Sequence, residues 1–351
     1  MASSNPQLPP LSETERHAWE NPGAFEAAAG VHRIPLPLPG DALKAVNIYA
    51  IPDGDKVVLI DGGWAMAESA ELLAAGLKAL GYGLGDVSDF YVTHHHRDHY
   101  TQAVTLRRKY GSAVSLGEGE REALEVIRAS TDLPNAARMR DAGAADLARQ
   151  IESWASGTNR GAELADYEDP DHWLADGVEL PLSTRTLRVI ATPGHTRGHV
   201  VFHDPEHDTL FAGDHVLPHI TPSIGVETNR PPSPLRDYLA SLALVRAMPD
   251  ARLLPAHGPV TGSVHERIDE LLQHHAQRLE ITAEALDHGA STGFDVARAT
   301  PWTRHLRRFD DLDLFNRIMA INETVAHLKV LVERGLAGEQ RLDGVTHYAR
   351  T

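Results

Sequence analysis

One nine-residue stretch constrains this chain more than any other: Tyr91-Val-Thr-His-His-His-Arg-Asp-His99. Its first residues are β-branched or aromatic and predict the end of a short strand. His94 and His96 lie two residues apart, so in an extended segment their side chains point to the same side. Asp98 and His99 follow where the chain should turn into a helix. Imidazoles and carboxylates at this spacing predict a metal site, because zinc prefers such nitrogen and oxygen ligands.

Four other predicted strands also end in a histidine or an aspartate. Asp61 follows the apolar run 56–60, His195 follows the strand predicted at 186–191, Asp214 follows 209–212, and His257 comes shortly after Leu254. Loops at strand ends, held by a rigid scaffold, are where α/β proteins commonly carry their catalytic residues. The repetition of this pattern therefore predicts one site assembled from both halves of the chain.

The order of predicted elements indicates a layered α/β fold. Strands followed by helices occupy the first half of the chain, and strands followed by a helix recur from residue 178. This order predicts two packed sheets with helices outside them. Residues 135–157 read as one alanine- and charge-rich helical stretch inserted over one face.

Composition narrows the class of protein. The 351 residues carry a formal charge of −16, which weighs against nucleic acid as a partner. No Cys is present, so the chain has neither a thiolate ligand nor a cysteine nucleophile, as suits a reducing cytoplasm. No apolar run approaches the roughly 18 residues of a membrane helix. The first ten residues have no basic start and no apolar core, so we expect a cytoplasmic protein without a secretory signal.

Taken together, these motifs resemble the metallo-β-lactamase-fold hydrolases. The resemblance covers roughly residues 28–262 and rests on Asp61, the His94-x-His96-x-Asp98-His99 motif, His195, Asp214 and His257 in that order. It implies a four-layer αββα sandwich that holds two zinc ions, with iron or manganese as alternatives. The implied mechanism is hydrolysis by a hydroxide that bridges the two metals.

The resemblance also implies a role for each site residue. His94, His96 and His195 would bind the first metal, Asp98, His99 and His257 the second, and Asp214 both. Asp98 would in addition orient the nucleophile, and Asp61 would orient the loop and its ligands without touching metal. His95 should face away from the metals, while packing and a hydrogen bond beside the ligands are equally open for His199 and His215. His274 and His275 are expected to be solvated.

The tail resembles a winged-helix-like module, because its helices are followed by a predicted hairpin at 341–348. The expected domains are an arm at 1–27, the catalytic domain at 28–262 and the tail at 263–351. A lactamase-fold domain with such a tail is similar to a subfamily that contains a mitochondrial endoribonuclease and carrier-protein thioesterases. With 11 Lys/Arg against 14 Asp/Glu, the tail is expected to cap the cleft or form a homodimer surface rather than bind nucleic acid. Its basic cluster comprises Arg304, Arg307 and Arg308.

Departures from known subfamilies narrow the substrate. One major class of true β-lactamases uses a Cys ligand, which this chain lacks. Acyl-homoserine lactonases carry a Tyr where this chain has Leu217, and residues 215–223 lack the glycine-rich, arginine-containing segment of glyoxalase II enzymes. The favoured function is hydrolysis of a small-molecule acyl thioester or related ester. A phosphodiesterase or endoribonuclease is the alternative, and a regulatory protein that only binds is the third hypothesis.

Overall fold

Two β-sheets packed face to face form the centre of the protein, which a computed structural model describes at residues 17–129, 134–155, 164–303 and 306–351. The strands of the first sheet are β1 Phe25–Ala28, β2 Val31–Pro37, β3 Ala45–Asp53, β4 Lys56–Ile60, β5 Val87–Val92, β6 Ala113–Gly117 and β7 His172–Leu174. Those of the second are β8 Glu179–Pro181, β9 Thr186–Ala191, β10 Val200–Asp204, β11 Thr209–Gly213 and β12 Arg252–Pro255. The first sheet runs in sequence order, whereas the second has the order β12-β11-β10-β9-β8.

The facing sides of the sheets share one apolar core. Tyr49, Ile60 and Tyr91 of the first sheet meet Phe202 and Phe211 of the second in this core. The rings of Tyr49 and Phe211 lie edge to face, with their centroids 5.5 Å apart. Strands β10 and β11 are buried at every residue, and each contains a run of three apolar residues, 200–202 and 210–212.

Helices cover the outer face of each sheet. The helices are α1 Ala67–Ala79, α2 Arg97–Tyr110, α3 Arg121–Ala129, α4 Pro134–Asp141, α5 Ala145–Ala155, α6 Pro234–Arg246, α7 Val264–Asp287, α8 Gly293–Ala299 and α9 Leu314–Glu333. Apolar residues of α1 and α2 pack on the first sheet, and those of α6 and α7 pack on the second. The predicted four-layer αββα architecture is confirmed. The sequence did not predict β1 and β7, two short strands at the edges of the first sheet.

The insertion is built differently from the prediction. Two helices, α4 and α5, replace the single helical stretch expected at 135–157, because the chain turns at Gly143 with φ +85°. Residues 156 and 157 lie outside the described residues. Both helices pack against the tail, in a cluster that joins Met139 and Leu147 to Trp302 and Ile321.

The tail contains the helices and the hairpin that its sequence predicts. After α7, α8 and α9 comes a two-stranded antiparallel sheet of β13 Ala337–Leu342 and β14 Val345–Arg350. Ile268, Leu271 and Leu331 of the tail share an apolar core with Leu235 and Leu253 of the second sheet's layer. The tail thus shares the apolar core that covers the outer face of the second sheet. The domain boundaries and the winged-helix resemblance stay predictions.

Parallel pairing brings the polar loops to one edge. Strands β4 and β5 are parallel in the first sheet, and β11 and β12 are parallel in the second. The carboxyl ends of parallel strands meet at the same edge of a sheet, so the loops that follow them become neighbours.

Among the helices of the described residues, none has the length and apolar character that crossing a membrane requires.

Candidate metal centre

Four side chains from the two sheets converge at this edge. His94 and His96 follow β5, His195 follows β9, and Asp214 follows β11. His96 Nδ1 lies 3.0 Å from both His94 Nε2 and His195 Nε2, and His195 Nε2 lies 3.4 Å from Asp214 Oδ2. Two ligand atoms of a tetrahedral zinc ion lie roughly 3.3 Å apart. The four donor atoms of this first group are therefore spaced as one metal ion requires.

A second group lies beside the first. Asp98 Oδ2 is 3.6 Å from His99 Nε2 and 3.5 Å from His257 Nε2. Asp214 faces both groups, because its Oδ1 lies 3.7 Å from His99 Nε2 and 3.3 Å from His257 Nε2, while its Oδ2 faces His195. The structure thus brings together all seven side chains that the sequence singled out as ligands, with Asp214 between the two groups.

The second group fits a cation because three of its buried donor atoms have no hydrogen bond to the described residues. These atoms are His99 Nε2, Asp214 Oδ1 and His257 Nε2. Each such atom costs about 1–3 kcal/mol if left unpaired. Burial disfavours the imidazolium form of His99, but Asp61, Asp98 and Asp214 outweigh it and raise its pKa to about 10. The same three carboxylates that stabilise a positive charge on His99 would stabilise a metal ion beside it.

The first group presents neutral imidazoles, the form that binds metal. Burial and the neighbouring imidazoles hold the pKa of both His94 and His96 well below the usual value. Hydrogen bonds at the outer ring nitrogens orient the buried ligand histidines, as is usual at metal sites. These bonds are His94 Nδ1 with Thr93 Oγ1 at 3.0 Å, His195 Nδ1 with the Ser223 carbonyl at 2.8 Å, and His257 Nδ1 with the Ala45 carbonyl at 2.7 Å.

Asp61 orients two segments of the centre at once. Its Oδ2 lies 2.9 Å from His99 Nδ1, and its Oδ1 accepts a hydrogen bond of 2.8 Å from the backbone N–H of Thr93. Asp61 is buried and has φ +63°, a left-handed conformation that Asp and Asn adopt more readily than most residues. The structure thus gives Asp61 contacts with the loop and with a ligand, as expected for a residue that orients both.

Replacing Asp61 by Asn is expected to weaken metal binding by roughly 10–100-fold. Asn tolerates the left-handed backbone, but its amide can no longer satisfy both Thr93 and the Nδ1–H of His99 with acceptor oxygens. Competition with a chelator of known zinc affinity measures the change. Asp55→Asn, at the exposed turn before β4, is the matched control. Equal affinity in Asp61→Asn and the control would remove Asp61 from the centre.

Other histidines near the centre have different surroundings. His199 Nε2 accepts a hydrogen bond of 3.1 Å from the backbone N–H of Asp214, and His199 Nδ1 lies 2.9 Å from Thr192 Oγ1. His199 therefore holds the backbone of Asp214, the candidate shared ligand, in place. His215 is buried, and neither ring nitrogen has a hydrogen bond to any residue that the structure describes. The prediction that His275 is solvated is wrong: it is buried and stacks on His327, since it lies on the inner face of α7.

His95 faces away from the metal groups and takes part in a cluster that the sequence did not reveal. His95 Nδ1 lies 2.7 Å from Glu120 Oε2, and Glu227 lies beside them. Burial, reinforced by Glu120, raises the pKa of Glu227 to about 8. No motif marks either glutamate, because they lie 25 and 132 positions beyond His95 and meet it only through the fold.

The basic cluster of the tail is described in part. Arg307 and Arg308 are exposed, whereas Arg304 lies outside the described residues. Another exposed cation, Arg97, lies between the ligands in sequence, with its guanidinium 4.0 Å from the Trp64 ring centroid. Contact of Arg307 and Arg308 with substrate stays a prediction.

A family model settles the relationship that the geometry suggests. The model described as the metallo-beta-lactamase superfamily matches residues 42–257, more than half of the chain. This chain belongs to the metallo-beta-lactamase superfamily. The matched range contains both groups of candidate ligands and Asp61.

Three proteins with sequences similar to this superfamily member carry different names. It is 32% identical over 148 residues to a beta-lactamase-like protein 2 homolog of Caenorhabditis elegans, a match that covers 41% of this chain and 48% of that protein. It is 24% identical to an atrochrysone carboxyl ACP thioesterase of Aspergillus fumigatus, over 80% of this chain and 56% of that protein. The chain thus spans about half the length of these two relatives. The probable metallo-hydrolase YqjP of Bacillus subtilis is 25% identical, over 91% of this chain and 96% of that protein.

Solved structures of the superfamily include two that align over nearly the whole chain. A metallo-beta-lactamase family protein from Thermus thermophilus has a TM-score of 0.74 at 29% identity, covering 92% of this chain and 99% of its own. A beta-lactamase domain protein from Burkholderia ambifaria has a TM-score of 0.75 at 25% identity, covering 93% and 95%. Both alignments extend well beyond the family model, so they include most of the tail.

Proposed function

We propose that this superfamily member holds two zinc ions and hydrolyses acyl thioesters. The single observation that carries the dinuclear site is the carboxylate of Asp214, whose two oxygens face two separate donor groups. The donors are all imidazole nitrogens and carboxylate oxygens, which zinc accepts. Iron and manganese accept similar donors, but the close spacing of the three imidazoles in the first group favours a tetrahedral ion.

The chain's own residues position the reactants. When bound, the metal pair supplies a water of lowered pKa and a charge that polarises the substrate carbonyl. Asp98 is half-buried, so its carboxylate stands between the buried ligands and solvent, where it can orient the attacking water and accept its proton. His199 and Asp61 hold Asp214 and His99 in place through the hydrogen bonds described above. Neither contacts substrate in this mechanism.

The helices of the insertion and the tail support an extended acyl substrate. They share one apolar cluster, and Arg138 of α4 donates hydrogen bonds to the carbonyls of Glu227 and Thr228 at 2.7 and 2.8 Å. Four residues before Glu227, Ser223 accepts the hydrogen bond from His195. This helical layer is therefore anchored to the loop that supports the first metal group, as a cap over the cleft would be.

The insertion and the tail also carry the most exposed large apolar side chains that the structure describes. Trp154, Leu306 and Phe315 are 70%, 72% and 66% exposed. We propose that an acyl chain contacts them, since a contiguous patch of such side chains would mark a binding surface. The thioesterase name of the Aspergillus relative is a second support for this substrate class.

A hydrolysis screen of the zinc-loaded protein tests the proposal. The substrates are a medium-chain acyl-CoA, an acyl-homoserine lactone, bis(p-nitrophenyl) phosphate and a single-stranded RNA. We expect thioester cleavage that a chelator abolishes and added zinc restores. Asp214→Ala, prepared in parallel, controls for a contaminating thioesterase. Robust cleavage of the phosphodiester or the RNA, with the thioester inert, would replace this proposal by the phosphodiesterase alternative.

Charge reversal at Arg307 and Arg308 is expected to raise KM more than it lowers kcat. Two exposed guanidinium groups can hold the phosphates of a CoA or phosphopantetheine arm, which lie far from the reacting carbonyl, so their loss weakens binding without altering chemistry. Steady-state kinetics on acyl-CoA at low salt measures both constants. The control reverses the same number of charges at Arg334 and Arg350, which are also exposed. Equal effects of the two double variants would show that only net charge matters.

A further inference from the structure

A third group of potential metal donors lies behind the His94–His99 loop. His95, Glu120 and Glu227 are 3%, 0% and 4% exposed, and one donor atom of each lies within 4.8 Å of the other two. His95 comes from the turn after β5, Glu120 from the turn after β6, and Glu227 from the loop before α6. Three segments distant in sequence thus place an imidazole and two carboxylates in one buried position.

The hydrogen bonds of this group leave one carboxylate oxygen without a partner. Glu120 Oε2 accepts from His95 Nδ1, and Glu120 Oε1 accepts from the hydroxyl of Thr196. Glu227 Oε2 accepts a hydrogen bond of 3.0 Å from the backbone N–H of Arg197. Glu227 Oε1 is buried and has no hydrogen-bond partner among residues 17–129, 134–155, 164–303 and 306–351. A buried carboxylate oxygen is stable when it is hydrogen-bonded, protonated or bound to a cation, so this atom is open to a ligand.

A proton and a divalent ion are the two ways to satisfy this oxygen. Glu227 Oε1 accepts no hydrogen bond from the described part of the chain, and of the two only the ion would join all three side chains. Arg197 offsets only a small part of the charge of Glu227, because its guanidinium pairs with the exposed Glu122. A divalent ion would balance both carboxylates and would also accept the imidazole nitrogen.

We propose that His95 Nδ1, Glu120 Oε2 and Glu227 Oε1 bind a third divalent transition-metal ion, of the zinc or manganese class. The site is buried, so the ion would be structural and would not meet substrate. His95 would give up its hydrogen bond to Glu120 and present a deprotonated Nδ1 to the metal. The thiol-free donor set suits these ions, which accept imidazole together with carboxylates.

Occupancy of this site would stabilise the first metal group. His95 lies between His94 and His96, and the segment that contacts the two glutamates, Thr196 and Arg197, directly follows His195. An ion here would therefore tie together the two loops that carry the three imidazoles of the first group. Loss of the ion is expected to loosen those imidazoles without removing any of them.

Metal counting and anomalous diffraction test the site. After dialysis against excess zinc or manganese, the wild-type protein is expected to hold three ions per chain by elemental analysis, and Glu227→Gln two. Glu122→Gln, an exposed glutamate that pairs with Arg197, is the matched control and should keep three. In wild-type crystals soaked with manganese, an anomalous peak is expected between His95 and Glu227.

The wild-type crystal decides the matter even where Glu227→Gln fails to fold. Peaks at the two groups around Asp214, with no peak between His95 and Glu227, would overturn the proposal. A count of two ions in the wild-type protein, unchanged in folded Glu227→Gln, would do the same. None of these measurements uses a substrate. A protein that holds this ion but cleaves no thioester would therefore contradict the proposed function and leave this site standing.

Discussion

Asp214→Ala is expected to lose metal from both groups and to reduce hydrolysis to background. Asp214 supplies Oδ2 to the first group and Oδ1 to the second, so its removal takes one ligand from each proposed ion. Loss of a residue that merely orients a ligand costs roughly 10–100-fold in affinity or activity. Loss of the shared ligand should exceed that range. Elemental analysis after gel filtration and kcat/KM on an acyl thioester measure the two effects.

Asp287→Ala is the control for this experiment, because Asp287 is exposed at the end of α7 and pairs with Arg350 only at 4.0 Å. Circular dichroism must show that Asp214→Ala keeps its fold at the temperature of the assay. A folded Asp214→Ala protein that retains two metals and undiminished activity would contradict the dinuclear assignment.

Truncation after Gly262 is expected to prevent soluble folding altogether. From the sequence alone we expect a milder result, namely an exposed apolar surface, a raised KM and reduced solubility, with a modest effect on metal content. The structure predicts a larger effect because α7 and α9 complete the core over the second sheet, where Ile268, Leu271, Leu328 and Leu331 are buried. Removing them exposes an apolar surface, and fully burying each such side chain is worth about 1.5–3 kcal/mol. The soluble fraction on expression and the unfolding transition are the measurements.

Ile268→Ala gives a graded version of this experiment. Its side chain is fully buried, so its truncation is expected to lower the free energy of unfolding by about 2–5 kcal/mol. Leu244→Ala, on α6 and 49% exposed, is the control and should change that free energy little. A tail that acts only as a detachable cap would give a soluble, metal-loaded truncated protein and a small effect for Ile268→Ala.

The candidate centre was easier to predict from sequence than the outer layer of the fold. The candidate ligands follow apolar strands and are His and Asp residues, which have few other uses at such spacing. Each motif can therefore be recognised from a short stretch of sequence. Glu120 and Glu227 belong to no such motif, because a glutamate beside a turn is common in any sequence. Only the folded structure shows that these two are buried. His275 was misjudged for the same reason: its stretch of α7 is polar in sequence, yet one face of it packs against His327 and Tyr238.

The predicted helix boundaries were wrong where the backbone conformation of a single residue ends a helix. Gly143 turns the chain between α4 and α5, although alanine-rich flanks on both sides favour a continuous helix.

The edge strands β1 and β7 are four and three residues long, so neither has enough residues to display a strand pattern. Both depend on pairing with a neighbouring strand that only the folded sheet supplies.

The two sheets each contribute half of the first candidate metal group, so the packing between the sheets affects that group. His94 and His96 extend from β5 in one sheet, whereas His195 and Asp214 extend from β9 and β11 in the other. Tyr91, Phe202 and Phe211 fill the layer between the two sheets. A substitution that changes the volume of this layer is therefore expected to change the distance between the two pairs, and with it the fit for an ion.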